Sequence, residues 1–269
     1  MKSSARLSIG AFTKTDLLVV VAVICVLAVI MLWGQAKEAK FKSQRIKCVS
    51  RLKCIGTAFR VFASDNGNLY PLTATASPPR TNAYIVPSGA TGSQVNSADA
   101  AAWQVAQAMW NELQTPELLL CPSDRERVTS SRTTDFNSLA GAPGVMTTAS
   151  LGHPANQDNA VSYAFGVAAD ESRLIGVVAM DRNVNNVGLA GASDASNVAL
   201  NRTRAAMNHK PGPTQAVFVK GTPMHGLAGN FAFADGSVRQ ATAEVLRQSF
   251  ENAAKSYGTI TNQNEMLFP

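Results

Sequence analysis

Between Leu17 and Trp33 the chain carries only apolar residues, and one acidic side chain, Asp16, stands immediately before them. The run falls at the short end of the roughly 17–25 residues that cross a bilayer as a helix. It shows no amphipathic periodicity, so it lacks the polar face of a core helix in a soluble protein. We therefore expect a membrane-spanning helix. A carboxylate at its edge is costly without a partner, which makes Asp16 a candidate functional residue.

Basic residues crowd the segment that follows the apolar run. The formal net charge of the chain is +6, and outside this segment acidic and basic residues nearly balance. The basic residues, with Glu38 as the acidic exception among them, are Lys37, Lys40, Lys42, Arg45, Lys47, Arg51, Lys53 and Arg60. Such a segment beside a membrane helix favours attraction to membrane lipid or to a partner protein over a nucleic-acid-binding face. A solvated helix face is the simpler alternative.

The same segment also has an apolar stripe at helical spacing. Its members recur at intervals of three and four residues and are Ile46, Val49, Leu52, Ile55, Phe59 and Phe62. This period predicts that the helix continues to about Ala63. Helix-stopping residues follow at positions 65–68, with Pro71 just beyond. The stripe needs a partner, which the rest of the chain must supply.

The remainder of the chain predicts one globular domain with short helices and strands. A helix is expected over Ala100 to Leu113 and a last one from Ala243 to about Ser256. The strand candidates are Val161–Val167, Leu174–Met180, Gln215–Val219, Asn230–Ala234 and Ser237–Ala241. Asp235-Gly236 joins the last two and suits a type I′ hairpin turn. The fold class is therefore α+β, a long N-terminal helix packed on an antiparallel sheet.

The chain has 4 cysteines, at positions 25, 48, 54 and 121. Their spacing matches no metal site, and no metal is predicted. If the domain lies outside the cytoplasm, one disulfide among the last three is expected. Cys48 stands beside the apolar stripe and Cys121 ends the apolar run 118–120, so we predict that these two pair, with Cys54 as the competitor for either. Closing a loop of that size stabilises the fold by roughly 4 kcal/mol.

An enzymatic function is an alternative that the C-terminal residues offer, but the sequence does not favour it. His225 with Asp235 offers an acid/base pair, and Ser237 offers a hydroxyl nucleophile. No nucleophile motif of the G-x-S-x-G kind accompanies them, and the hairpin turn already accounts for Asp235. Calcium is an open alternative in the Asn- and Asp-rich segment 181–201, but without ligand spacing to support it. The sequence predicts no enzyme and no cofactor.

Several motifs resemble those of type IV pilins and pseudopilins. The stretch GAFTKTDLLVVVAVICVLAVI, from Gly10, is similar to their N-terminal processing site, with Phe12 and Thr13 placed before the acid and the apolar helix. The stretch KCVSRLKCIGTAFRVFASDNGNLYP, from Lys47, is similar to large pseudopilin-like proteins. So are Cys121-Pro122-Ser123-Asp124, Ser162-Tyr163-Ala164-Phe165, and His225 followed after nine residues by Asp235 and Gly236.

The resemblance implies a structural subunit of a type II secretion or type IV pilus-like filament. It implies a leader over 1–11, a transmembrane and assembly helix over 12–34, its amphipathic continuation over 35–64 and a globular head over 65–269. A prepilin peptidase would remove the leader and methylate the new amine. The other implied partners are further pilin-like subunits and the assembly platform of the inner membrane. The N-terminus would be cytoplasmic and the head periplasmic.

Three departures from the family pattern leave alternatives open. Asp16 stands where the family has Glu, and Lys14 and Thr15 stand where it has apolar residues. Ala11 is inserted, so cleavage can follow Gly10 or Ala11, and the second register makes Phe12 the first residue and the acid the fifth. Counting basic residues on either side of the apolar run would instead place the head in the cytoplasm. The runner-up function is an uncleaved, signal-anchored extracytoplasmic binding protein.

Overall fold

The computed structural model describes residues 13–74, 100–130, 133–136, 147–167, 169, 171–186, 204–207, 216–219, 224–257 and 265–269. The predicted leader, with Gly10, Ala11 and Phe12, lies outside the described residues. The chain divides into two compact units, Met1–Ser43 and Gln44–Pro269. The first helix, α1, is assigned over Lys14–Asp65 and contributes to both units.

In the first unit α1 is helical from Lys14 onward, and most of the side chains described there belong to its apolar portion. Residues Lys14–Met31 form an 18-residue stretch of which none is buried within the protein. Their length and apolar composition suffice to cross a membrane, and a signal sequence near an N-terminus meets the same description. The predicted apolar helix is therefore present, and it exposes its side chains all round.

In the second unit, the C-terminal part of α1 packs against a sheet through a narrow stripe of buried side chains. The buried side chains of the stripe are Cys48, Leu52, Ile55, Phe59 and Phe62. The predicted stripe included Ile46, but that side chain is 66% exposed, because the helical spacing of the buried set passes through Cys48 instead. The Phe59 ring lies 5.7 Å from the ring of Phe165 on the sheet.

The residues that were predicted to stop α1 do so. The Asn68 N–H donates to the carbonyl of Ala63 at 2.7 Å, and Gly67 and Asn68 both have positive φ, 67° and 65°. This arrangement satisfies a carbonyl that the end of the helix leaves without an intrahelical partner.

The head is an α+β domain built on antiparallel strands, as predicted. The strands are β1 Tyr163–Gly166, β2 Val177–Asp181, β3 Val184–Asn186, β4 Arg204–Ala206, β5 Ala216–Phe218, β6 Ala228–Phe233, β7 Val238–Thr242 and β8 Glu265–Leu267. The main sheet has the order β4-β8-β1-β2-β6-β7, and β3 pairs with β5 in a second sheet. All of the five predicted strands are found, whereas β3, β4 and β8 were not predicted.

Both faces of the main sheet are covered. The further helices are α2 Pro71–Ala74, α3 Ala102–Ala108, α4 Trp110–Leu113, α5 Arg125–Ser130 and α6 Ala243–Tyr257, with 3₁₀ helices at Pro116–Leu119 and Gln157–Ala160. Tyr163, Phe165 and Ala232 share one buried cluster with the stripe of α1. Ala164 and Phe231 point to the other face and share a cluster with Leu246 and Phe250 of α6. This alternation is the period of a strand.

Two local predictions need correction. The predicted helix over Ala100 to Leu113 is interrupted at Met109, which separates α3 from α4. The β6–β7 hairpin does not use a type I′ turn, because that turn requires positive φ at both central residues. Gly236 has a φ of 81°, but Asp235 does not have positive φ. The Gly236 N–H donates to the carbonyl of Phe233 at 2.9 Å, so only the glycine takes the left-handed conformation.

Candidate functional site

The first candidate site is the first turn of α1, where Asp16 is held by Thr13. The backbone N–H of Thr13 donates to Asp16 Oδ2 at 3.1 Å, and its hydroxyl donates to the same oxygen at 2.7 Å. The Asp16 N–H is 3.3 Å from the Thr13 hydroxyl oxygen. This reciprocal pair is a capping box, with Thr13 as the N-cap and an acid three residues on.

The capping box is a role for Asp16 that the sequence analysis missed, although Thr13-x-x-Asp16 is its recognisable pattern. It orients the carboxylate at the helix N-terminus, where the helix dipole also favours a negative charge. Both hydrogen bonds from Thr13 end at Oδ2. Within the described part of the chain, Oδ1 therefore stays available to a second donor.

The second candidate site is built around a disulfide in the head. Cys48 of α1 and Cys121 are joined at an S–S distance of 2.01 Å, and the described free cysteines, Cys25 and Cys54, are exposed. Arg51, one helical turn after Cys48, donates to the carbonyl of Leu120 and pairs with Glu117 at 2.6 Å. These contacts hold the segment that carries Cys121 against α1.

His225 lies against this disulfide. Its Nε2 atom is 3.3 Å from Cys121 Sγ and 3.5 Å from Asp181 Oδ2, and its side chain is only 3% exposed. Burial lowers the pKa of His225 to about 4, and the nearby positive charge of Arg45 acts in the same direction. The imidazole is therefore neutral at pH 7 and has one ring nitrogen with a free lone pair.

Asp181, at the end of β2, is the acidic member of the group. Its Oδ2 accepts hydrogen bonds from the Asn230 backbone N–H at 2.7 Å and from Asn230 Nδ2 at 2.8 Å. Its Oδ1 is buried and has no hydrogen-bond partner among the described residues. Burial raises the pKa of Asp181 to about 7, and the bonds from Asn230 oppose that rise. We call Cys48, Cys121, Asp181 and His225 the His225 cluster.

The two residues after Asp181 assemble the cluster. Arg182 forms a two-pronged ion pair with Asp124, at 2.7 and 3.0 Å, and thereby anchors the turn that begins at Cys121. Asn183 Nδ2 donates to the carbonyls of Gly226 and Ala228, at 3.0 and 2.9 Å, and thereby holds the loop of His225. The sequence analysis placed these three residues only in the calcium alternative over 181–201 and predicted no role for them in this cluster, because their contacts are with residues far away in the chain.

The structure separates the residues of the enzymatic reading. His225 precedes β6 and Asp235 follows it, so a strand of about 20 Å lies between them. Asp235 Oδ1 instead accepts the Ser237 N–H at 2.7 Å within the hairpin. Most of the segment on which the calcium alternative depended, residues 187–201, lies outside the described residues.

Within the described residues, Cys48, Cys121 and His225 form a group whose candidate ligand atoms all lie within 4.8 Å of one another. Their sequence separations of 73 and 104 residues explain why no metal spacing could be read from the sequence. Comparison of the chain with models of protein families, with curated proteins and with solved structures found no match.

Proposed function

We propose that this chain is a pilin-like structural subunit, a pseudopilin, of a type II secretion or type IV pilus-like filament. The observation that carries the proposal is the fully exposed apolar helix with a carboxylate in its first turn. An apolar helical stretch of which nothing is buried within its own chain, as over Lys14–Met31, needs lipid or other helices around it. Its resemblance to the pilin processing region supplies the reason for the acid.

The mechanism we propose begins with removal of the leader by a prepilin peptidase, after Ala11 or Gly10. Cleavage creates a cationic amine near Asp16. In the poorly solvated surroundings of neighbouring helices, opposite charges attract strongly. Oδ1 of Asp16 in a resident subunit would accept the amine of an incoming subunit, while Thr13 keeps the carboxylate oriented. Lys14 offers a competing cation, which would weaken the attraction.

In this proposal the apolar helix sits in the cytoplasmic membrane with the N-terminus in the cytoplasm and the head in the periplasm. The Cys48–Cys121 disulfide supports this orientation, since such bonds persist in oxidising compartments. The partners are the prepilin peptidase, other pilin-like subunits, the assembly platform and membrane lipid. The head itself carries a structural role and no catalytic one.

Mass spectrometry of the mature N-terminus tests this function. The expected result is a methylated Phe12, with residues 1–11 absent. A methylated Ala11 would keep the function and move the cleavage site. An intact Met1 in protein purified from membranes would overturn the proposal and favour an uncleaved anchor that carries a binding domain.

A further inference from the structure

We propose that the His225 cluster is a redox-controlled zinc site: with Cys48 and Cys121 as thiols, Zn²⁺ is bound by both sulfurs, by His225 Nε2 and by the Asp181 carboxylate. The disulfide form cannot bind the ion, because its sulfurs are joined to each other. The cluster would thus hold zinc in the reduced chain and release it on oxidation.

The donor atoms have the right chemistry. Thiolate, imidazole and carboxylate are the three protein ligands that zinc takes, usually four at a time in a tetrahedron. The four residues come from α1, the turn after the 3₁₀ helix Pro116–Leu119, the end of β2 and the loop before β6. A site assembled from four separate segments is not explained by the local needs of any one of them.

Two of the distances between ligand atoms, both to His225 Nε2, fit a tetrahedron around one ion. With Zn–S of about 2.3 Å and Zn–N and Zn–O of about 2.05 Å, neighbouring ligand atoms should be about 3.6 Å apart for sulfur and nitrogen and about 3.3 Å for nitrogen and oxygen. The structure has 3.3 Å from Cys121 Sγ to His225 Nε2 and 3.5 Å from that nitrogen to Asp181 Oδ2. The sulfurs must move apart, to a separation of about 3.8 Å. Asp181 is not among the residues whose ligand atoms all lie within 4.8 Å of one another, so its carboxylate and a sulfur must also move closer together.

Burial and charge give a second argument. Cys48, Cys121 and Asp181 are 0% exposed. Within the described residues Asp181 Oδ1 is buried without a hydrogen-bond partner, which is unusual in a folded protein. Oδ2, which lies 3.5 Å from His225 Nε2, already accepts two bonds from Asn230. A disulfide needs neither a carboxylate nor an imidazole beside it. A cation at this point would be shared by the carboxylate and two thiolates, which offsets the cost of burying each charge.

Zinc binding requires reduction of the disulfide, and zinc release follows its oxidation. A dithiol reductant gives two electrons and two protons to the Cys48–Cys121 bond and becomes a disulfide itself. The two thiols then release their protons as Zn²⁺ binds both thiolates. In the reverse direction an oxidising disulfide takes two electrons from the thiolates and two protons from water and becomes two thiols. The bond between Cys48 and Cys121 re-forms and Zn²⁺ leaves.

Cobalt spectroscopy tests the site in the full chain in detergent, with Cys25→Ser and Cys54→Ser to remove the exposed thiols. The reduced protein should bind one equivalent of Co²⁺ with thiolate charge-transfer bands and tetrahedral visible bands, and Zn²⁺ should displace it. The oxidised protein should show none. Loss of a group that only supports a ligand weakens metal sites about 10–100-fold, so His225→Ala, which removes a ligand, should weaken binding by about 100-fold or more. Asp181→Asn, which removes the charge but keeps an oxygen at the site, should weaken it by about tenfold.

His153→Ala is the matched control, because His153 lies outside the cluster, and it should leave the bands unchanged. Thermal melting shows whether the reduced chain is folded when its metal binding is measured. Zn²⁺ should raise the melting temperature of the reduced protein, but not that of the oxidised protein or of reduced His225→Ala. Absence of both the bands and this rise in reduced protein overturns the proposal. Equal bands in the His225→Ala variant do so as well.

Discussion

Asp16 caps its own helix, and under the proposed function it also binds a neighbouring subunit. We expect Asp16→Asn to insert and to be processed but to fail to enter the filament, because it cannot balance the charge of an incoming amine. Asp16→Glu should retain incorporation. Cross-linking of membrane-extracted complexes measures this. Undiminished incorporation of the Asn variant would show that the carboxylate serves another purpose.

Thr13→Val separates the two tasks. It removes the hydroxyl that donates to Asp16 Oδ2 and leaves the carboxylate charged. If Asp16 acts between subunits, this variant should be incorporated much better than Asp16→Asn. Equal loss in the two variants would mean that the cap, rather than the charge, is what assembly needs.

The ion pair of Arg182 with Asp124 is a second residue-level test, since both side chains are at most 5% exposed. Removing one partner of a buried pair leaves an uncompensated charge. We expect Arg182→Met to lower the free energy of unfolding by about 3–5 kcal/mol, measured by urea denaturation. Lys255→Met breaks an exposed ion pair with Glu251, one helical turn earlier. This change should lower the free energy of unfolding by less than about 0.5 kcal/mol. Similar costs would contradict this difference.

At the level of elements, the close approach of α1 to β6 decides what position 56 tolerates. A Cβ atom added at Gly56 would meet the Cβ of Ala232 at 3.7 Å, an ordinary contact. Alanine also favours the helix by up to about 1 kcal/mol over glycine. Gly56→Ala should therefore raise the free energy of unfolding by about 0.5–1 kcal/mol. Gly56→Val should gain less than Gly56→Ala, because a β-branched side chain favours a helix less than alanine does. A valine that stabilises as much as alanine would contradict this difference.

For the whole molecule, the Cys48–Cys121 bond ties α1 to the head across 73 residues. On the chain-entropy model its loss should cost about 4 kcal/mol. Urea denaturation of oxidised and reduced protein, both with a metal chelator, measures the difference. Cys54→Ser should have almost no effect, since Cys54 is exposed and free. Peptide mapping under non-reducing conditions should recover the pair. Free thiols at both positions in protein from the envelope would refute it.

The sequence by itself determined the features that depend on residues close together along the chain. The apolar run, the residues that end α1 and five of the strands follow from local periodicity and turn chemistry, which act over a few residues. Even so, Ile46 was assigned to the wrong side of α1 and Asp235 to the wrong turn type. The sequence also predicted the Cys48–Cys121 pair. Only the tertiary structure decided that His225 and Asp181 lie beside it, because a contact across 104 residues depends on how the sheet and α1 pack. No local pattern encodes that arrangement, since Arg182 and Asn183 take their roles from partners far away in the chain.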